Sequence, residues 1–175
     1  MRRLVVAVIA AALFAPGAAF AQASLSTYDA VREGLLAVWA DLPLSARNAT
    51  LTAAPATGFG NYTPLEGRIV RIGEPIHVYV EVLGYGWRDN GDGTWSRLLD
   101  ADLNLLDADG TTIASQAKFL SADIRSRDKL LETYLTLEAT LTAFEPGAYR
   151  LAYVLHDRTD GEETRFELPI TLVAP

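Results

Sequence analysis

The sequence predicts a mainly β protein, an immunoglobulin-like antiparallel β-sandwich of about seven or eight strands with one N-terminal helix. Apolar and polar residues alternate in five separate rows, and turn-forming glycine, aspartate and proline lie between the rows. Helical spacing occurs only near the N-terminus, so the repeated helices of a doubly wound α/β fold are missing. A tyrosine also stands where the E–F corner of an immunoglobulin-like domain carries one.

Residues 1–21 are predicted to be a secretory signal peptide. Arg2 and Arg3 precede the apolar run 4–14, and an Ala-Phe-Ala sequence ending at Ala21 places small residues at a cleavage site. The run is too short for a bilayer core, which needs about 20 residues. We therefore expect cleavage after Ala21 by ordinary secretion, a periplasmic or secreted protein, and no membrane span after cleavage. A retained anchor is the alternative.

Residues 22–45 are predicted to form the helix and its connection, and residues 46–175 the sandwich. Ser26 and Thr27 are good N-cap residues. Pro43 disfavours helix at the residue before it, so the helix is expected to end by then. The helix is expected to pack on the sandwich or to cap one of its ends. Its one apolar face consists of the residues at helical spacing, which are Tyr28, Val31, Leu35, Val38 and Trp39.

The alternating rows give the strands. They are Ile76–Val82, Leu103–Leu105, Leu135–Leu141, Tyr149–Leu155 and Phe166–Leu172. The sequence from Phe144 to Tyr149 is typical of an E–F connection, in which the tyrosine at the start of strand F bonds back to the corner. An ordinary core tyrosine is the alternative. Residues 156–161 are then expected to form the F–G turn and Glu163–Val173 the last strand.

Composition argues against several function classes. The chain has 15 Lys and Arg against 22 Asp and Glu, a net charge of −7, and no basic cluster, so it lacks the charge pattern of a nucleic-acid binder. It has no cysteine, which excludes disulfides, thiolate metal sites and thiol catalysis. Its two histidines, His77 and His156, accompany no nucleophile elbow, and His156 and Asp157 are expected to point to opposite faces of a strand. We predict no catalytic residues.

Metal sites are also weakly indicated. Residues 89–93 and 100–104 are dense in oxygen donors, but neither stretch fits the ligand spacing of an EF-hand. Turn chemistry explains the aspartates and glycines better. His77 and Glu81 on one strand face would offer zinc two ligands at best. We therefore expect no cofactor, with a calcium site in a loop as the alternative.

The candidate binding surface is aromatic. If the alternation that begins at Ile76 continues to Trp87, several aromatic side chains share the face opposite the valines. Trp87 and Trp95 also flank a hairpin and are expected to meet across it. The candidate ligand- or partner-binding residues are Tyr79, Tyr85, Trp87, Asp89, Asp92 and Trp95. Two alternatives remain: the helix covers this face, so that the aromatics are core, or a glycine bulge breaks the alternation.

Several stretches have a recognisable sequence. They are Gly58-Phe59-Gly60-Asn61-Tyr62-Thr63-Pro64, Gly73-Glu74-Pro75-Ile76, Tyr79-Val80-Glu81, Gly84-Tyr85-Gly86-Trp87, Pro146-Gly147-Ala148-Tyr149, Asp157 and Glu167-Leu168-Pro169. Through them the chain resembles a group of exported proteins of α-proteobacteria. The resemblance implies a periplasmic or secreted β-sandwich. It brings no catalytic or binding residues, because the group has no assigned activity.

These observations lead us to expect a non-enzymatic binding or assembly module in the periplasm, with a protein or glycan partner. Its contact surface is expected to centre on Tyr85, Trp87 and Trp95. One alternative is a carbohydrate-binding module that stacks sugars on the same aromatic rings. Another is a hydrolase built from carboxylates such as Glu74 and Glu81, which requires the two groups to lie close together.

Overall fold

The computed structural model describes residues 24–175, in which one helix is followed by two facing β-sheets. Its elements are α1 (Leu25–Ala40), β1 (Ser45–Thr52), a 3₁₀ turn (Glu66–Arg68), β2 (Ile69–Arg71), β3 (Pro75–Leu83), β4 (Arg88–Asp89), β5 (Trp95–Leu106), β6 (Thr112–Ser126), β7 (Tyr134–Thr140), β8 (Gly147–Asp157) and β9 (Glu163–Val173). The predicted signal peptide lies outside the described residues. In the part of the chain that is described, no helix is long and apolar enough to cross a membrane.

The topology is that of an immunoglobulin-like sandwich, as predicted. The smaller sheet has the antiparallel order β1-β3-β7. The larger sheet has the order β2-β9-β8-β5, and β6 pairs with the far side of β5. The short β4 also pairs with β5, and β2 runs parallel to β9. Strands β3 and β7 therefore take the places of strands B and E, and β5, β8 and β9 those of C, F and G.

The core lies between the two sheets. Alternate residues of β3 point into it, among them Val78, Val80 and Val82, which are fully buried. Leu99 and Ala101 from β5 face them from the other sheet, with leucines of β8 beside them. This alternation is what a strand with one face on a core requires, and it explains why the buried strands were predictable.

The corner before β8 confirms the role predicted for Tyr149. The hydroxyl of Tyr149 donates to the carbonyl oxygen of Glu145 at 2.9 Å, and its ring meets that of Phe144 edge to face. The last strand also has the predicted bounds. The F–G turn is shorter than expected, because β8 continues through His156 to Asp157.

Strand β6 was not predicted, because most of its side chains are exposed at the edge of the larger sheet. Without a buried face its sequence carries no regular alternation. Its pairing with β5 shifts between Ala101 and Leu103, and Lys118 there has a positive φ of 49°. The backbone N–H of Lys118 turns to the carboxylate of Asp102 at 2.7 Å. The edge of the sheet is therefore kinked at Lys118.

Helix α1 differs most from the expectation. Ser24, rather than Ser26 or Thr27, is its N-cap, and the Ser24 hydroxyl accepts from the backbone N–H of Thr27 at 3.1 Å. The helix packs on the sandwich through the side that carries Arg32, Leu36 and Trp39, so within the predicted apolar row only Trp39 is buried. The exposed apolar side chains are Leu25 (84%), Tyr28 (64%), Val31 (65%), Leu35 (48%) and Val38 (64%). We call Tyr28, Val31, Leu35 and Val38 the apolar face of α1. Leu25 is seven residues before Arg32 and therefore lies on the other side, the one that meets the sandwich.

Candidate functional site

Gly84 decides where the aromatic residues after β3 lie. Its φ is +73°, and a Cβ built on it would lie 2.3 Å from the carbonyl oxygen of Pro43 and 2.5 Å from that of Leu42. Only glycine fits both constraints. The chain leaves the sheet at this point, so the common face expected for Tyr79, Tyr85 and Trp87 does not form. The alternative of a glycine that breaks the alternation describes the structure.

Tyr79 lies on the outer face of the smaller sheet and is completely buried under the loop that precedes β2. Its ring packs against those of Tyr62 and Tyr134, with centroids 4.2 and 5.6 Å away. Its hydroxyl accepts from the backbone N–H of Gly60 at 2.7 Å and donates to Glu81 at 3.1 Å. Burial, followed by the neighbouring Glu81 carboxylate, raises the pKa of Tyr79. The side chain fixes the loop and has no surface for a ligand.

Glu81 is also buried, and its carboxylate is 2.7 Å from the guanidinium of Arg47. Burial alone would raise the pKa of Glu81, but hydrogen bonds from Asn48 and Arg47 outweigh it and hold that pKa below its ordinary value. Glu74 precedes the other end of β3 and pairs with Arg71 at 3.7 Å. Seven residues of extended chain separate Glu74 from Glu81 by about 23 Å. The carboxyl groups of a glycosidase lie about 5–9.5 Å apart, so these two do not form such a pair.

Tyr85 lies under the end of α1 and is buried. Its ring meets the rings of Trp39 and Trp87 at centroid distances of 5.1 and 5.7 Å. Its carbonyl oxygen accepts from the indole N–H of Trp39 at 2.9 Å. Among the candidate residues, Tyr85 is therefore the one that fastens the helix to the sandwich.

The connection between β6 and β7, residues 127–133, is held from three sides. The Tyr85 hydroxyl donates to the carbonyl oxygen of Leu130 at 2.6 Å, Arg32 donates to that of Lys129 at 3.1 Å, and the buried Arg97 donates to the hydroxyl of Thr133. The Thr133 hydroxyl donates in turn to Tyr85 at 2.8 Å. The helix, the segment after Gly84 and this connection therefore form one unit.

Trp87 and Trp95 are half-buried, and Lys129 lies over both. The Lys129 ammonium is 5.4 Å from the ring centroid of Trp87 and 4.2 Å from that of Trp95. In the strand register Trp95 is opposite Asp89 rather than Trp87. The two indoles therefore meet through a shared cation, an arrangement worth about 0.5–1 kcal/mol for each exposed pair. The lysine occupies the space above the rings where a sugar would stack.

Asp89 and Asp92 lie in the exposed turn of the hairpin between β4 and β5. Asp89 accepts from the backbone N–H of Gly91 at 2.8 Å, as turn aspartates do. Asp92 accepts from the Thr94 hydroxyl at 2.6 Å and pairs with Arg125, and these contacts lower the pKa of Asp92. Both carboxylates therefore have roles in the turn. Within residues 24–175 no three His, Asp or Glu side chains are grouped to hold a metal ion.

The oxygen donors of residues 100–104 are likewise engaged inside the larger sheet. Asp100 is buried and lies 3.0 Å from Arg158. Asp102 lies 2.9 Å from the Nε2 atom of His156, whose Nδ1 atom is 2.9 Å from Glu163. The carboxylate of Asp157 points away from His156, as predicted, and accepts from the backbone N–H of Gly86 at 2.5 Å.

A groove beside the apolar face of α1 is the feature that the sequence did not indicate. It measures about 540 Å³ and lies between the helix and residues 128–132. Tyr28, Val31 and Leu35 form one wall, and the half-exposed Leu130 belongs to the other. The signal in the sequence was the apolar row of α1, since a helical row needs a partner that the sandwich does not provide.

No family model and no curated protein matches the chain. Among solved structures, the sporulation control protein Spo0M of Bacillus subtilis is similar at 15% identity and a TM-score of 0.45, over 77% of this chain and 51% of that chain. The alkylpurine DNA glycosylase AlkC of Pseudomonas fluorescens, bound to DNA containing an abasic site analog, is similar at 10% identity and a TM-score of 0.41.

The match to AlkC covers 85% of this chain and 37% of that chain. The CARDB domain of PF1109 from Pyrococcus furiosus, in complex with di-metal ions, is similar at 14% identity and a TM-score of 0.31, over 77% and 96% of the two chains. The chain thus spans about half of Spo0M and little more than a third of AlkC. These similarities assign no residue of the candidate site.

Proposed function

We propose that this protein is a non-enzymatic binding or assembly module of the periplasm or the medium, and that it engages a protein partner through the apolar face of α1. The observation that carries the proposal is the exposure of four apolar side chains, each between 48% and 65% exposed, that follow one another at three- and four-residue intervals along one side of the helix. A contiguous apolar patch of a few hundred Å² is typical of an interaction site on a soluble protein.

The stability of the helix supports the same function. Isolated helices shorter than about 12–15 residues are marginal in water, and most helices depend on the packing of one face. Helix α1 has 16 residues, but the side that meets the sandwich buries only Trp39 and half-buries Arg32 and Leu36. A partner on the apolar face would supply the packing that the sandwich does not.

The aromatic residues contribute to this function, but they do so as a support for α1 and not as the binding surface that the sequence predicts. Tyr85 and Trp87 surround Trp39 and hold the C-terminal end of α1 in one orientation. A rigid support lowers the entropy lost when a partner binds, so these residues position the binding face. Asp89, Asp92 and Trp95 lie in or beside the hairpin, and none of them lines the groove beside that face.

Site-specific photo-crosslinking in the cells that produce the protein tests the proposal. The photo-reactive residue replaces Val31 on the apolar face, and a matched variant carries it at Glu33 on the same helix outside that face. We expect a discrete protein adduct from position 31 and none from position 33. Equal labelling at both positions, or no adduct from an exported Val31 variant, would contradict the proposed binding face.

A further inference from the structure

We infer that the partner is a second copy of this chain, bound by antiparallel pairing of the two α1 helices. The inference rests on the proposed function, because it names the occupant of the same face. It extends that function to self-assembly, and three features of the helix carry it: the spacing of the apolar face, the position of the sandwich along the helix, and the area available.

The spacing of the apolar face fits another helix. Tyr28, Val31, Leu35 and Val38 follow one another at intervals of three, four and three residues, which are the a and d positions of a heptad. This stripe is narrower than the ~100° or more that a helix turns toward a protein core. Gly34 lies beside the stripe, and no atom lies within 4 Å of the place where its Cβ would be. A second helix can therefore approach closely there.

The sandwich determines the direction of pairing. Helix α1 packs on the sandwich through Arg32, Leu36 and Trp39, whereas the side chains of its first two turns, before Arg32, are exposed. Parallel helices would bring two sandwiches to the same end of the pair, whereas antiparallel helices place them at opposite ends. The antiparallel pair has a two-fold axis and repeats each contact, as isologous dimers do.

In the antiparallel pair each a residue of one helix packs against a d residue of the other helix. Tyr28 of each copy then packs against Val38 of the second copy, and Val31 packs against Leu35. The second helix also enters the groove and covers the exposed Leu130. None of the four stripe residues is charged, so no charged side chain lies between the two helices along the stripe. The charged residues that line the groove, Arg32, Asp128, Lys129 and Glu132, carry both signs.

The apolar surface that two α1 helices can bury is small, so the formation of the dimer is expected to depend on protein concentration. The four stripe side chains and Leu130 expose roughly 100 Å² each, so two copies would bury on the order of 1,000 Å². Specific stable interfaces begin near about 1,200 Å², so the pairing falls just below that range, among weak and transient contacts. We therefore expect a reversible equilibrium between one and two chains.

Sedimentation equilibrium of the exported protein over a wide range of concentration tests the inference. The mass is expected to rise from one chain to two. The Val31→Asp variant places a carboxylate in the stripe and is expected to dimerise at least about a hundredfold more weakly. The control Glu33→Gln changes charge outside the stripe and is expected to dimerise like the parent. Unchanged unfolding of the Val31→Asp variant in urea shows that its sandwich is intact.

Cysteine crosslinking tests the direction, since the chain contains no cysteine. A mixture of Tyr28→Cys and Val38→Cys copies is expected to form the mixed disulfide, and neither variant alone is expected to form a disulfide dimer. Disulfide dimers of Tyr28→Cys alone would overturn the antiparallel pairing.

A single-chain mass at every concentration would overturn the second-copy inference. In that case an adduct of Val31 with a different protein would still support the proposed function, and the absence of any adduct would remove both. An adduct between two copies of this chain at position 31 supports both proposals together.

Discussion

The indole N–H of Trp39 donates to the carbonyl oxygen of Tyr85 at 2.9 Å, and the two rings meet edge to face with centroids 5.1 Å apart. Both residues are buried, one at the end of a helix and the other just beyond a strand. The neighbouring Trp87 ring packs on Trp39 with centroids 5.5 Å apart, and Arg32 adds a hydrogen bond to the carbonyl oxygen of Lys129. The attachment of the helix is therefore concentrated at a few residues.

Replacing Trp39 is expected to loosen the helix and to destabilise the protein. Trp39→Ala removes a buried indole and leaves a cavity, at a cost of about 3–5 kcal/mol. Trp39→Phe keeps a ring but leaves the carbonyl oxygen of Tyr85 without its donor, at a cost of about 1–3 kcal/mol. Urea unfolding followed by circular dichroism measures both values. A Trp39→Ala variant with the stability of the parent would contradict the anchoring role.

Gly84 and Gly91 form a matched pair of positions. Their φ angles are +73° and +75°, but only at Gly84 would a Cβ collide with the carbonyl oxygens of Leu42 and Pro43. Gly91→Ala is expected to cost about 1 kcal/mol for its backbone conformation. Gly84→Ala is expected to cost about 3 kcal/mol or more, because the chain between α1 and β1 must shift as well. Equal losses in thermal or urea unfolding would show that the close approach is unimportant.

Glu81 is expected to make stability depend on pH in the acid range. Its pKa in the folded protein is lower than in the unfolded chain, so its contribution is fully present above the unfolded value of 4.5. That contribution is lost as the pH falls through the folded pKa. Glu81→Gln weakens the contacts with Arg47 and Tyr79 and is expected to cost about 1–3 kcal/mol at neutral pH. The difference from the parent should shrink in urea titrations below the unfolded pKa, and a constant difference would contradict the assignment.

Asp160 is expected to make stability depend on pH in the direction opposite to Glu81. Partial burial of its carboxyl group and the nearby charge of Asp157 raise the pKa of Asp160. A raised folded pKa favours folding below the unfolded value of 3.8, and this advantage is lost as the pH rises through the folded pKa. Asp160→Asn is therefore expected to stabilise the protein at neutral pH and to have no such effect well below the unfolded pKa. Thermal melting at the two pH values measures the effect, and Asp109→Asn in another exposed turn is the control.

The strands that bury one face and expose the other could be predicted from the sequence. Strands β3, β7, β8 and β9 each carry an alternating row because one face meets the core, and the Tyr149 corner is a contact between residues close in sequence. Strand β6 has no buried face and left no such row. Alternation of apolar and polar residues identifies the side chains that share one face of a strand. It is present only in strands that pack one face against the core.

The site was less predictable, for two physical reasons. The period of the apolar row in α1 shows that a face exists, but nothing in it tells whether the sandwich or another molecule covers that face. The arrangement of Tyr85 and Trp87 depends on the backbone turn at Gly84, which in turn depends on the distant carbonyl oxygens of Leu42 and Pro43. Contacts between segments far apart in the chain are not encoded in local spacing.

The kink at Lys118 has a consequence for how copies of this protein meet. A straight edge strand of 15 residues would be a template on which a neighbouring molecule adds its own strand, the usual start of aggregation. At Lys118 the ladder is interrupted, one backbone N–H is turned inward to Asp102, and a charged residue stands at the irregularity. The edge of β6 therefore does not offer a neighbouring molecule one straight, uninterrupted ladder of 15 residues.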